Sequence, residues 1–195
     1  MRGLRIAVPT GVKFVFLGLS ISPSARSRNA VTQRGLVREL DARGHEILVL
    51  ERATRVLARA LGKPQTSPYR SISELKRRYA RSVREAHVVI VGPLVPDGAE
   101  VGQWVTRTAK GVTAFYDLDT PYTLAKLERG DTEYLTRALI PKYDLYLSVT
   151  GGRTVERMQD EYQSPMAREL NGPPPFRAQQ LERFVAEAMS GQLMS

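Results

Sequence analysis

No cysteine occurs among the 195 residues, which excludes disulfides, zinc–thiolate sites and thiol catalysis. Only two histidines are present, His45 and His87. Each directly precedes a β-type run, Glu46-Ile-Leu-Val-Leu and Val88-Val-Ile-Val. Both are therefore expected at strand starts, away from the carboxyl ends where open α/β sheets bind ligands. A Ser-His or His-metal mechanism is disfavoured on that ground. Apolar runs are short too: none reaches the roughly 18 residues of a membrane span, and none is expected. Near the N-terminus, Arg2 and Arg5 precede the apolar run 15–21, but Pro9, Gly11 and Lys13 interrupt it and Pro23 spoils a cleavage pattern. That argues against a signal peptide and for the cytoplasm. The net charge of +9 has no basic motif behind it, since no basic run exceeds Lys76-Arg77-Arg78. Nucleic acid is the less favoured partner, and the basic face of the segment Ile72 to Arg84 reads as solvated surface.

What is present is ordinary globular composition, 42% hydrophobic and 25% charged. Short β-rich runs alternate with helical patterns. Strands are expected at Lys13 to Leu19, Glu46 to Leu50, Val88 to Val91, Val112 to Tyr116 and Leu145 to Val149, with a sixth, edge strand at Met166 to Leu170. Helices are expected at Ala30 to Arg43, closed by Gly44, and after the capping pattern Ser71-Ile-Ser-Glu74. Others follow Asp97-Gly-Ala-Glu100 and Thr120-Pro121, and one carries Val155, Met158 and Tyr162. A short segment, Tyr134 to Ile140, is expected after an Asp131 cap, and a last helix runs from Phe176 to Met189. Residues 51–86 read as two helical patterns around a break at Gly62 to Pro68. Trp104 reads as packing between helix and sheet. Such alternation predicts an α/β, Rossmann-like doubly wound, mostly parallel sheet of five to six strands.

Three strand-to-helix junctions could carry chemistry. The first loop, Ser20 to Asn29, lacks the G-x-G-x-x-G of dinucleotide sites; Gly18 is its nearest glycine, so NAD or FAD is disfavoured. Arg26 and Arg28 could meet an anion with side chains there. In the second junction, Asp117 and Asp119 fall where the run Val112 to Tyr116 gives way to a helix opened by Thr120 and Pro121. Either Asp119 or Thr120 can cap that helix, and a carboxylate there can also act as a general base. In the third, Thr150-Gly151-Gly152 leads into a helix whose N-terminus could hold an anion; two glycines in a tight turn need no ligand to explain them.

The segments Lys13-Phe-Val-Phe-Leu-Gly-Leu-Ser-Ile-Ser, Arg34-Gly-Leu, Ala42-Arg-Gly-His-Glu and Leu50-Glu-Arg, together with Val88 to Gly102, carry a family resemblance. So do Gly111 to Glu133, with its Phe115-Tyr-Asp-Leu-Asp-Thr-Pro and Leu124-Ala-Lys-Leu-Glu-Arg-Gly-Asp, and Leu139 to Gly152. The sequence resembles the N-terminal half of the CgeB-type spore-maturation glycosyltransferase-like proteins. The resemblance implies a GT-B glycosyltransferase, in which this half holds a carbohydrate or glycosylated acceptor and a second domain binds the nucleotide-sugar. Transfer then needs no resident metal or cofactor, the nucleotide-sugar being a co-substrate. Domain boundaries follow: 1–11 an N-terminal extension, 12–170 the acceptor-side domain, 171–195 a proline-rich linker and C-terminal helix that could pack back on the domain. The resemblance implies Asp119 as the catalytic base. Candidate binding residues are Ser20, Ser22, Arg26 and Asn29, with Asp117, Thr120, Glu128 and Arg129, and Thr150, Gly151 and Gly152. Two departures stand out. The first loop is poorer in glycine than the family's and has Asn29 near the family's histidine, and the chain ends where the second domain is expected. The expectation is of an acceptor-side half incomplete on its own, paired with a separate chain supplying the other half. The alternative is a non-catalytic carbohydrate- or protein-binding module derived from such an enzyme.

Overall fold

The computed structural model describes residues 11–18, 28–53 and 65–192. In chain order the elements are β1 (Lys13–Leu17), α1 (Arg28–Ala42), β2 (Glu46–Arg52), β3 (Gln65–Tyr69), α2 (Ile72–Glu85), β4 (Val88–Val91) and α3 (Gly98–Thr108). They continue with β5 (Val112–Asp117), α4 (Thr120–Glu128), β6 (Leu145–Ser148), α5 (Arg153–Asp160), β7 (Ala167–Glu169) and α6 (Pro174–Gln192). The strands form one sheet in the order β3-β2-β1-β4-β5-β6-β7, and every pairing is parallel. This is a Rossmann-like α/β fold. Strand order reverses between β1 and β4, so the crevice outside their carboxyl ends is the topological switch point.

The central strands read as unbroken apolar runs because both faces are covered. Val15, Leu17, Val89, Val91 and Phe115 point into one core with Leu75, Tyr79 and Val83 of α2, Val101 and Val105 of α3, and Leu124 and Leu127 of α4. Phe14, Phe16, Val88, Ile90, Ala114 and Tyr116 point the other way, onto Leu36, Val37 and Leu40 of α1 and Leu181, Phe184 and Val185 of α6. Trp104 is half-buried against the first core, as expected.

Seven strands exceed the expected six by β3. Its sequence, Gln-Thr-Ser-Pro-Tyr, falls inside the segment read as a break between helices. Only the buried Tyr69 signals a core there. Pro68 is tolerated because β3 is an edge strand, where a missing N–H breaks no ladder bond on the open side. The helical pattern Ala53 to Leu61 lies almost wholly outside the described residues, as does the expected extension 1–11, of which only Gly11 is described.

Caps divide into those the sequence predicts and those it does not. Ser71 Oγ accepts the Glu74 N–H at 3.1 Å while Glu74 reaches back to the Arg70 N–H at 2.8 Å, close to a capping box. Asp97 does not cap α3. It sits in the left-handed region at φ 57° and gives its carboxylate to Arg52 at 2.8 Å instead. Asp131 does not open a helix either. It accepts the Glu133 N–H in a local turn, and the helical piece that follows is a 3-10 turn at Ile140–Lys142.

The last helix, α6, packs across the sheet beside α1. Two polar clasps hold it. Glu182, buried, accepts from Arg43 Nε and Nη2 at 2.7 Å each and pairs with His45 Nε2 at 2.8 Å. His45 Nδ1 accepts the Val12 N–H, which fixes the tautomer with the proton on Nε2. At the other end, Arg177 donates to Tyr116 Oη at 2.9 Å and to the Gly172 carbonyl at 3.1 Å. Both histidines therefore serve strand starts: His87 Nδ1 likewise accepts the Lys13 N–H at 2.9 Å.

Candidate functional site

Strand β5 ends in Asp117, and α4 begins three residues later. The strand is buried along its whole length, so Asp117 is carried into the core with 1% of its surface exposed. Its Oδ2 meets the Tyr146 hydroxyl in a short hydrogen bond, and its Oδ1 accepts the Asp119 N–H at 3.0 Å. Burial pushes the Asp117 carboxyl up from its ordinary value; the Tyr146 hydroxyl and the Asp119 N–H pull the other way without cancelling it. Tyr146 is raised as well, by burial first and then by Asp117. Around them lie buried hydroxyl pairs, Thr120 with Ser148 at 2.6 Å and Thr123 with Tyr134 at 2.9 Å.

Asp119, by contrast, is exposed. It is the N-cap of α4: Oδ1 accepts the Tyr122 N–H at 3.2 Å, with Pro121 in the first turn. Thr120, the other capping candidate, is buried and uses its hydroxyl on Ser148.

Both aspartates line a pocket of about 270 Å³ outside the carboxyl ends of β4 and β5, shared with Leu94, Tyr122, Lys126 and Glu133. Lys126 forms part of the wall. Its side chain is 7% exposed and its ammonium lies 2.6 Å from Glu133 and 2.9 Å from Asp131. It also stands 5.1 Å from the Tyr134 ring centroid and 5.6 Å from that of Tyr122. Those two carboxylates, Glu133 first, raise the Lys126 pKa and keep the ammonium charged. Leu94 and Tyr122 are each about half exposed, at 53% and 54%, so the mouth carries an aliphatic and an aromatic face.

The other expected residues are placed differently. Ser20, Ser22 and Arg26 lie outside the described residues, and Asn29 falls at the start of α1, where its side chain is not described. Glu128 and Arg129 are at the far end of α4, roughly 12 Å from its start at 1.5 Å per residue. Neither lines the pocket. Glu128 pairs with Arg157 at 2.9 Å, and Arg129 is the C-cap of α4. The Thr150-Gly151-Gly152 turn is occupied by the chain itself. Ser148 Oγ takes the Thr150 N–H, and the Glu169 carboxylate lies so close to Gly151 that a Cβ would collide with it. The glycine there accommodates Glu169 on β7, so the turn's anionic neighbour is internal. Gly18 is explained in a similar way. A Cβ on it would collide with Val95, because the β4–α3 loop leans over the carboxyl end of β1.

Lys126, Glu133, Tyr122, Tyr134 and Leu94 are pocket residues that sequence reasoning missed. One signal was legible: Lys126 interrupts the buried stripe formed by Thr123, Leu124 and Leu127. A lysine there needs partners. A larger open groove, about 840 Å³, lies at the amino ends of the strands between Arg84, His87, Lys110 and Met189. It holds no carboxyl end of a strand, and His87 is spent on the Lys13 backbone. Among the described residues no group of acidic or histidine side chains could hold a metal ion, and no helix is long and apolar enough to cross a membrane.

No family model matches the chain, and no curated protein matches it in sequence. Among solved structures, a 2-hydroxyacid dehydrogenase from Ketogulonicigenium vulgare Y25 is similar over 95% of this chain and 49% of its own, at 12% identity and a TM-score of 0.37. The TT0316 protein from Thermus thermophilus is similar over 94% of this chain and 50% of its own, at 14% identity and a TM-score of 0.38. The chain spans about half the length of these structures. Neither likeness bears on function.

Proposed function

We propose that this domain binds a carbohydrate acceptor in the β5–α4 pocket, as the acceptor-side half of a GT-B glycosyltransferase. One observation carries the reading: carboxylates, buried hydroxyls and a half-exposed tyrosine ring converge on one pocket at the carboxyl ends of parallel strands. Carboxylates accept hydrogen bonds from sugar hydroxyls, and an aromatic face covers the apolar side of a pyranose ring. The family resemblance of 115–133 falls on the same residues.

In this reading Asp119 is the base. Its Oδ1 accepts the Tyr122 N–H, which leaves Oδ2 without a protein donor among the described residues, on a side chain that lines the pocket. As the acceptor hydroxyl forms its bond to the anomeric carbon, its proton passes to Asp119 and the sugar's bond to the nucleotide diphosphate breaks. Asp117 is a positioning residue. It holds the Asp119 backbone N–H at 3.0 Å and is itself anchored by Tyr146. The donor half of such an enzyme is not among the described residues, so transfer requires a second domain.

A glycan-binding screen on the 195-residue chain tests the reading. Binding to oligosaccharides that Tyr122→Ala abolishes, without loss of fold by circular dichroism, is the expected result. Binding unaffected by Tyr122→Ala, or no glycan bound at all, overturns it.

A further inference from the structure

The pocket's charges narrow the ligand further than the word carbohydrate does. Among the described residues its one lining cation is Lys126, and that ammonium is already met by two carboxylates, Glu133 at 2.6 Å and Asp131 at 2.9 Å. The lining carboxyl groups are three, Asp117, Asp119 and Glu133. Asp117 is buried and committed to Tyr146 and the Asp119 N–H. The other two stand at the mouth. Asp119 Oδ1 takes the Tyr122 N–H and Glu133 Oε2 takes Lys126, so among the described residues Asp119 Oδ2 and Glu133 Oε1 have no protein donor. The same pocket is lined by the exposed ring of Tyr122, 5.6 Å from the Lys126 ammonium, and such a ring attracts cations as well as sugar faces.

From this geometry we infer that the pocket takes an amino sugar, a sugar ring bearing a protonated amine, and discriminates against phosphorylated and uronic sugars. The inference rests on the carbohydrate reading above. An ammonium group would meet two acceptor oxygens in charge-assisted hydrogen bonds and an aromatic face. A phosphate or carboxylate would meet the same two oxygens and only a neutralised lysine. The chain's net charge of +9 attracts anions at long range, but it is screened over about 8–10 Å, whereas the pocket carboxylates act at contact. Contact charge decides selectivity; the distant charge affects the rate of encounter.

Three trisaccharides of one length separate the outcomes by calorimetric titration at about pH 5.5, well below the range of amines, so that the sugar amines are protonated. They are fully deacetylated glucosamine trisaccharide, its N-acetylated neutral counterpart, and galacturonic acid trisaccharide. The expected order is amino, then neutral, then uronic, with about tenfold or more between the first and the last. In the double variant Asp119→Asn, Glu133→Gln the ratio of amino to neutral affinity should fall to about one, whatever the change in neutral affinity itself. Asparagine can still cap α4, so the fold is retained. Equal or tighter binding of the uronic trisaccharide, neutral binding equal to amino binding, or a preference that survives in the double variant would overturn the inference while leaving the carbohydrate reading intact. Binding of none of the three would overturn both.

Discussion

Asp117 is almost wholly buried, whereas Asp119, two positions on, is exposed at the pocket mouth. The break in strand geometry at Leu118 separates them, and each has its own measurable consequence. Asp119→Asn keeps an oxygen for the Tyr122 N–H, so stability by urea unfolding should change by less than about 0.5 kcal/mol, while Asp119→Ala loses the cap at about 1 kcal/mol. Assayed with the donor half present, both variants should lose transfer, because neither can accept the hydroxyl proton. Equal activity of Asp119→Asn and the unmodified protein would remove Asp119 as base. Asp117 makes a pH prediction. Its folded pKa lies above the ordinary 3.8, so the folded state holds its proton more tightly than the unfolded chain. Its contribution to stability is full below about pH 4 and is lost as pH rises through the raised folded value. Asp117→Asn removes that titration. The difference in melting temperature between unmodified and Asp117→Asn protein should therefore shift in favour of the variant as pH rises from about 4 upward; a pH-independent difference would contradict it.

At the scale of elements, α6 is the piece whose docking is most exposed to test. Burial alone would raise the Glu182 carboxyl, but Arg43 and His45 overcome it and hold its pKa below the ordinary 4.5. The sign is opposite to that of Asp117: this clasp contributes above about pH 4.5 and is lost as pH falls through the lowered folded value. Glu182→Ala should cost about 2–3 kcal/mol in urea unfolding at neutral pH, since it strands a buried histidine N–H and a half-buried guanidinium. Phe184→Ala, by emptying core between α6 and the sheet, should cost about 3–5 kcal/mol. Strands β1, β2, β4, β5 and β6 were legible in the sequence because a sheet covered on both faces demands continuous apolar runs. The capping of α4 by Asp119 was legible because the residues that make a cap are its immediate neighbours. Strand β3 was hidden, because an edge strand with one buried residue leaves no apolar run. Asp97 was misread because a capping residue and an ion-pair partner for Arg52, 45 positions away, look alike in sequence. The pocket was half legible. Asp117 and Asp119 mark it locally and Lys126 breaks the stripe of α4, but Glu133 joins it only through the turn at Gly130 and Asp131, which pattern alone does not foretell.

For the whole molecule, the fold places one pocket beside the switch point and leaves the amino ends of the strands with a broader, shallower groove. Those two surfaces carry different charges. The pocket is acidic around one neutralised lysine, while the groove is lined by two cations, Arg84 and Lys110, and one carboxylate, Glu85. A carbohydrate acceptor and an anionic partner would thus engage opposite ends of the sheet, so the place where sugar binds is the central question. An amide-resolved NMR titration of the isotope-labelled chain with a neutral or amino oligosaccharide answers it most directly. Saturable shifts confined to Leu94, Asp119, Tyr122, Lys126 and Glu133 are predicted, with Arg84, His87 and Lys110 unmoved. Shifts centred on the amino-end groove, or none at saturating oligosaccharide, would contradict the account.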